Sequence, residues 1–433
     1  MRAMDPIRIA ILAVFGAALL PSCAPRTAAV AGRAGPEATS SATPAVGTDI
    51  DSWSKAYPTE AAMMAKSEKM LPSPSGYDGS VPVEKAIAQP EMGINYKGSA
   101  YAASFKEKRG HFYSWADIST TKRLNDKTPA SCITCKTPDI AKVFGDRGWA
   151  YAAEPAMAYI KEKHPAIDCF SCHDPATRRL RVIVPSFGEA MKVRGIDISK
   201  ATPKDMESYV CAQCHSTYFI DPRTDRVVPP WGKGLNPEAM YAYYASRPSG
   251  FDKDFVQPDS GVAVLKARHP DYELFSGGVH ASAGVSCVDC HMPYVTADGA
   301  RVRQHWVTSP LRDVGSSCLQ CHRDKTEAWA KGRVKYIQDS VFSLQRIAGR
   351  AVAEAHGAIA AVSREQAVPA SALDPARELL RQAQWYWDYV ASANSTGFHD
   401  PVQAERSLAL SIDLARRAEA SARAPSSEIG SRP

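Results

Sequence analysis

Cys132-Ile-Thr-Cys135-Lys136 nearly repeats four other segments of the chain and departs from them at its last position. The four read Cys169-Phe-Ser-Cys172-His173, Cys211-Ala-Gln-Cys214-His215, Cys287-Val-Asp-Cys290-His291 and Cys318-Leu-Gln-Cys321-His322. C-x-x-C-H is the attachment signature of c-type haem: two thiols add across the vinyl groups and the adjoining histidine becomes an axial iron ligand. A single C-x-x-C could be a disulfide, a redox motif or half of a zinc site. Four C-x-x-C-H copies, without paired C-x-x-C blocks at zinc-finger spacing, read instead as a multihaem chain. For Cys132 and Cys135 the alternative is a structural disulfide beside a surface lysine. Read with the other four, they predict a fifth haem whose iron carries the Lys136 amine and keeps its other face open for chemistry.

An inventory of ligands extends this reading. Wire haems with two imidazoles need one proximal and one distal histidine each, and the chain has eleven histidines. His173, His215, His291 and His322 are the proximal ones. Of the seven others, His111, His280, His305 and His399 stand in loops or at helix ends, from which a side chain can reach across to a haem. His356 lies within a helical stretch and His164 in a charged one, and both read as ordinary core or surface residues. His269 sits beside Lys266 and Arg268, a cluster that could face an anion.

The chain has 433 residues, 45% of them apolar, enough for one large or two medium domains. Haems would replace much of the aliphatic core, so few alternating strand-like runs are needed. The expected fold is mainly α, a multihaem cytochrome c arrangement with little sheet and long C-terminal helices. Residues 51–325 would form the pentahaem catalytic domain and 326–424 a long-helix region. Val334, Ile337, Val341, Leu344, Ile347 and Ala348 fall on one helical face. A second helix starts near Asp374-Pro375, read as an N-cap followed by proline, and a third runs from about Pro401 towards Ala422. Gly397-Phe398-His399 interrupts the last two.

The N-terminus gives an address. Arg2 and Arg8 precede an apolar run from Ile9 to Leu20, too short to span a bilayer, so 1–23 read as a secretory signal. Leu20-Pro21-Ser22-Cys23 resembles a bacterial lipobox, in which Cys23 is lipidated, and ordinary cleavage further along is the alternative. Eleven cysteines make five pairs and leave Cys23 over. The expected location is therefore periplasmic, with a lipid anchor at Cys23, where haem attachment also takes place. Residues 24–50, rich in Ala, Pro, Thr, Gly and Ser, read as a flexible tether, and 425–433 as a disordered tail. The formal charge of +6 would be offset by haem propionates and implies no nucleic-acid partner.

With these residues in place, the chain resembles the pentahaem cytochrome c nitrite reductases, the ammonia-forming enzymes of bacterial periplasms. The likeness covers nearly everything after the tether. It rests on the lysine-bearing first motif, the four C-x-x-C-H motifs, Arg109-Gly110-His111, Cys214-His215-x-x-Tyr218, Lys266-x-Arg268-His269-Pro270, Gly278-Val279-His280 and the terminal helices. It implies Lys136 as proximal ligand, with Arg123, Tyr218 and His269 lining the open face. It also implies that His111, His280, His305 and His399 are distal ligands, the same four that the inventory selects. Many members hold calcium through a glutamate and a glutamine at positions occupied here by Thr217 and Arg268. Losing those oxygen donors resembles the calcium-independent branch, so no calcium is expected.

The resemblance implies five c-type haems, nitrite as substrate and a six-electron reduction to ammonium. Arg123 would hold the anion and stabilise charge as N–O bonds break. His269 would supply protons, and Tyr218 would donate a hydrogen bond or proton. It further implies a homodimer built on the long helices, and a quinol-oxidising membrane multihaem donor or another periplasmic cytochrome as partner. Two other readings compete: a multihaem electron-transfer cytochrome without catalysis, and a related enzyme acting on hydroxylamine or sulfite.

Overall fold

The computed structural model describes residues 46–47, 49–106, 109–365 and 369–424. The expected signal segment with Cys23, nearly all of the tether and the C-terminal tail lie outside the described residues. Three long helices close the described chain, Glu327–Glu365, Asp374–Ala391 and Pro401–Arg423, and they pack on one another. The first buries Val334, Ile337, Val341 and Ala348 as its periodicity predicts. Ile347, expected on that face, is 46% exposed, because one residue is a step of roughly 100° around a helix of 3.6 residues per turn. The helix predicted at Asp374 starts there, but a 3-10 turn over Ala370–Leu373 runs straight into it. Leu373 thus takes the cap position, and Pro375 lies in the first turn, where a missing N–H costs little.

The third helix is capped by Asp400, whose carboxylate accepts from the Gln403 amide at 3.0 Å, with Pro401 in its first turn. Its buried side is mostly small: Ala404, Ser407, Ser411, Ala415, Ala418 and Ala422. Small residues let helix axes approach, and the Ser411 hydroxyl donates across the interface to the Ala383 carbonyl at 2.7 Å. Trp385, Trp387, Tyr389, Leu380, Val341 and Ile359 fill the centre of this largest apolar cluster, joined by Met92, Tyr96, Phe187 and Trp231 from earlier in the chain. Two smaller clusters form around the first and last motifs: Trp115, Ile118, Ile133, Ile140 and Tyr151 at one, Leu311, Val314 and Val334 at the other.

Short helices, 3-10 turns and loops make up the region before Glu327, with three two-stranded antiparallel ladders among the described residues. They pair Phe219–Ile220 with Val227–Val228, Phe255–Val256 with Ala263–Val264, and Tyr294–Ala297 with Ala300–Arg303. Each histidine motif forms one helical turn. The amides of His173, His215 and His322 bond the carbonyls of Cys169, Cys211 and Cys318 at 2.8, 2.9 and 3.0 Å, and Cys287–His291 is itself a helix. The first motif differs, since the Lys136 amide bonds the Ile133 carbonyl at 2.9 Å in a tighter turn.

Two glycines fix the loop between the last helices. Gly397 has φ +81°, and a Cβ there would lie 2.7 Å from both Val341 methyls. At Gly278 a Cβ would lie 2.1 Å from the His399 carbonyl oxygen. Any larger residue at either place displaces the backbone that carries His399.

Candidate functional site: four imidazole pairs and a lysine-bearing motif

Each motif histidine stands opposite one of the four histidines expected as distal ligands. Ring centroids are 6.2 Å apart for His111 and His215, and 6.4 Å apart for His173 and His305, His280 and His322, and His291 and His399. A metal–imidazole bond is about 2.0 Å and the centroid lies about 1.1 Å behind the nitrogen, so two imidazoles on opposite sides of one iron stand about 6 Å apart. The four spacings are therefore of the size that two imidazoles across one iron would have; the His215 ring stands equally near His269, at 6.4 Å, so distance alone does not assign the pairs. All ten described cysteines are free thiols, so Cys132 and Cys135 do not form the alternative disulfide. Burial lowers His111 and His399 to about 4, leaving each imidazole neutral, the form that binds metal.

The attachment thiols follow a path. Cys135 and Cys214 lie close enough to perturb each other, as do Cys211 and Cys287. Cys290 lies within electrostatic reach of Cys318 and Cys321, and Cys172 of Cys211 and Cys214. The lysine-bearing motif thus adjoins the third, the third adjoins the second and fourth, and the fourth adjoins the fifth.

Partners at Nδ1 orient several of the rings. The carbonyls of Arg178, Arg303 and Thr308 lie 2.8, 2.9 and 3.0 Å from Nδ1 of His173, His305 and His291. His215 and His399 are different, because both face the carboxylate of Asp271, at 3.6 and 3.9 Å. Asp271 is held below the usual carboxylate range: burial pushes it up, but His215, His399 and the Asn394 amide outweigh that.

At the first motif the structure gathers more residues than the sequence singles out. The Arg123 guanidinium lies 5.0 Å over the Tyr101 ring, and that of Arg268 lies 5.2 Å over Tyr218. Arg123, Arg268 and Lys136 all act electrostatically on Cys132. Burial raises the Tyr218 phenol, reinforced by Tyr101, so it stays protonated and able to donate. Tyr101 is shifted the other way, against its burial, by Arg268, Arg123 and Lys266. Nothing in the sequence around Tyr101 marks it.

Arg268 is itself anchored. Its guanidinium donates to the carbonyls of Tyr218 and Lys266 at 3.0 and 3.2 Å and pairs with Asp254 at 2.5 Å. Lys266 is enclosed, bonding Asp388 at 2.8 Å and Ser392 at 2.6 Å. Asp388 also accepts from the Tyr96 hydroxyl and the Ala267 amide. The Lys266-to-Arg268 cluster, read as facing an anion, is thus committed to holding the backbone before His269. His269 follows with φ +51°, a conformation uncommon for a residue with a side chain. It places the ring 6.4 Å from that of His215. The two histidines read as ordinary are so: His356 is buried between Ser260 and Gln384, each at 2.7 Å, and His164 bonds Asp139 at 2.8 Å.

A mainly helical chain with paired thiols at each motif and four facing imidazole pairs defines a multihaem c-type cytochrome. The chain belongs to the cytochrome c552 family, whose pattern it matches over residues 49–433. It is 34% identical to the cytochrome c nitrite reductase subunit NrfA of Nitratidesulfovibrio vulgaris, across 82% of this chain and 71% of that one. It is 33% identical to cytochrome c-552 of Bacteroides thetaiotaomicron, across 79% and 70%. Among solved structures it superposes on the cytochrome c nitrite reductase catalytic subunit of Desulfovibrio desulfuricans, a protein with two calcium sites. That match has a TM-score of 0.82 at 32% identity and covers 87% of this chain and 86% of that one.

Proposed function

We propose that this protein reduces nitrite to ammonium with six electrons at a haem held by Cys132, Cys135 and Lys136, supplied by four bis-histidine haems. The observation that carries the reading is the contrast between four motifs whose histidines each face a second imidazole and one motif that ends in lysine. When bound, the haems supply redox chemistry and an iron with a face free for substrate. The chain's own residues do the rest. Arg123 holds the anion through its fork of donors and favours charge leaving with oxygen. Tyr218, kept protonated by burial, donates a hydrogen bond or proton. His269 delivers protons near neutral pH.

Arg268 takes the structural place of calcium, its guanidinium gathering two carbonyls and a carboxylate that would otherwise need a cation. Activity should therefore survive dialysis against a calcium chelator; loss restored by added calcium would refute this. The proposal places the protein in the periplasm, anchored through a lipid on Cys23, as a homodimer joined by its long helices. Its electrons would come from a membrane quinol-oxidising multihaem cytochrome or another periplasmic cytochrome.

The test is ammonium yield from nitrite by purified holoprotein with a chemical reductant, counting electrons. About six electrons per nitrite and near-complete conversion to ammonium support the enzyme. A protein with all haems attached and no nitrite-dependent oxidation would be an electron carrier. His269→Asn should cut turnover by a factor of about 100 or more, the usual contribution of a positioned proton donor, and leave haem content unchanged.

A further inference from the structure

Three ring-orienting contacts at Nδ1 in this protein are neutral carbonyls, but one is an anion, and that anion is shared. Asp271 is 5% exposed and opens the helix Asp271–Gly277, two residues after His269. Its Oδ2 lies 3.6 Å from Nδ1 of His215 and its Oδ1 lies 3.9 Å from Nδ1 of His399. Asn394 aims the carboxylate, its backbone amide donating to Oδ1 at 2.7 Å and its side-chain amide to Oδ2 at 2.8 Å. Nδ1 of His399 is buried, and Asp271 faces it with its backbone and places its carboxylate as the nearby charge. His215 and His399 belong to different imidazole pairs, one with His111 and the other with His291.

We propose that Asp271 is a positioning residue that lowers the reduction potentials of two neighbouring haems together, by acting on an axial imidazole of each. The inference rests on the proposed bis-histidine ligation. An anion at Nδ1 strengthens the imidazole as a donor and favours ferric over ferrous iron. One carboxylate serving two rings moves both couples in the same direction, so it lowers the pair without widening the step between them. The two haems would be adjacent, since their Cys211 and Cys287 thiols lie close enough to perturb each other. The other two imidazole pairs, His173 with His305 and His280 with His322, face no such shared carboxylate among the described residues. Because Asp271 follows His269 and Pro270 directly, the same short segment fixes the proposed proton donor and the potentials of the haems behind it.

The test is spectroelectrochemical titration and electron paramagnetic resonance of holoprotein, native and Asp271→Asn. The native protein first reports on ligation: if low-spin bis-imidazole signals are missing, the underlying ligation reading fails, whatever the variant does. With those signals present, Asp271→Asn should raise two couples, and only two. Each should change its ferric-to-ferrous ratio by about tenfold, about 59 mV for one electron. The g-values of the same two haems should change, and Asp271→Glu should restore much of the shift. Five unmoved couples, or a shift confined to one haem, would overturn the proposal. Should Asp271→Asn fail to fold, Asn394→Ser removes the amide that donates to Oδ2 and that also lies 3.5 Å from Nδ1 of His215. It should shift the His215 couple downward, and no shift there would overturn the proposal equally.

Discussion

Glu273 shows how a single buried carboxyl gives this protein a pH dependence. Its Oε1 accepts from the Thr217 amide at 2.8 Å and Trp231 Nε1 at 2.9 Å, while Oε2 is buried without a partner. Burial raises its pKa from 4.5 to about 8. Between those two values the folded protein keeps a proton that the unfolded chain releases. The resulting stability is fully present below about pH 4.5 and is lost as pH rises through about 8. Glu273→Gln keeps the shape and removes the titration, so its urea-unfolding curve should lose less stability than the parent's across that window. The difference should be several kcal/mol, at about 1.4 kcal/mol per pKa unit; parallel losses in parent and variant would refute it. Other single residues differ in how far the sequence exposes them. The histidines emerge by counting, because haem attachment has a fixed pattern and ligands come in pairs. Tyr101, Asp254 and Asp271 do not, since an isolated tyrosine or aspartate carries no periodicity and matters only through distant partners.

The long helices are the elements most readable in advance, because each repeats a burial pattern over several turns. Even there one residue of a stripe, Ile347, rotates out of the core, and a preceding 3-10 turn moves the cap of Asp374–Ala391 by one residue. The short helices around the motifs have too few turns to show a period. Their positions depend on caps such as Thr202, which accepts from the Asp205 amide, and on long-range contacts. Pairing of the histidines is hidden for the same reason, since partners such as His111 and His215 meet only after folding. The loop after Asp374–Ala391 makes one element-level prediction. Gly278→Ala would push a methyl into the His399 carbonyl and move that imidazole away from its partner. Mass spectrometry should find every haem still attached, while magnetic resonance shows one low-spin haem converted; five unchanged haem signals would refute this.

Across the molecule, apolar packing is unevenly shared. The largest cluster centres on the three C-terminal helices and draws in Phe187, Phe219, Trp231 and Tyr244 from the motif-bearing region, whereas the segments beside the first and last motifs have only small clusters and brief ladders. Such segments cannot bury enough surface by themselves to offset the entropy of ordering their chain. Haem attachment should therefore be a condition of folding there. Chain made without haem attachment, given a brief protease treatment, should be cut first between residues 111 and 322 and later within 327–424; uniform resistance would refute the view. Composition indicates this division only coarsely, because a sequence lists thiols and histidines but not the volume that a porphyrin will occupy between them.

The position of His399 sets an order in time. A ribosome makes the chain from its N-terminus, so Cys287, Cys290 and His291 exist long before the loop that bears their facing imidazole. The ring that meets His291 arrives only with the turn into the final helix, after the other facing histidines have been made. In the proposed ligation, the fourth motif is the last to be completed, and a chain truncated before residue 399 would leave that haem with a vacant side. The last helix pair is then also a seal, and its docking marks the moment when an assembling protein stops having two reactive irons and keeps one.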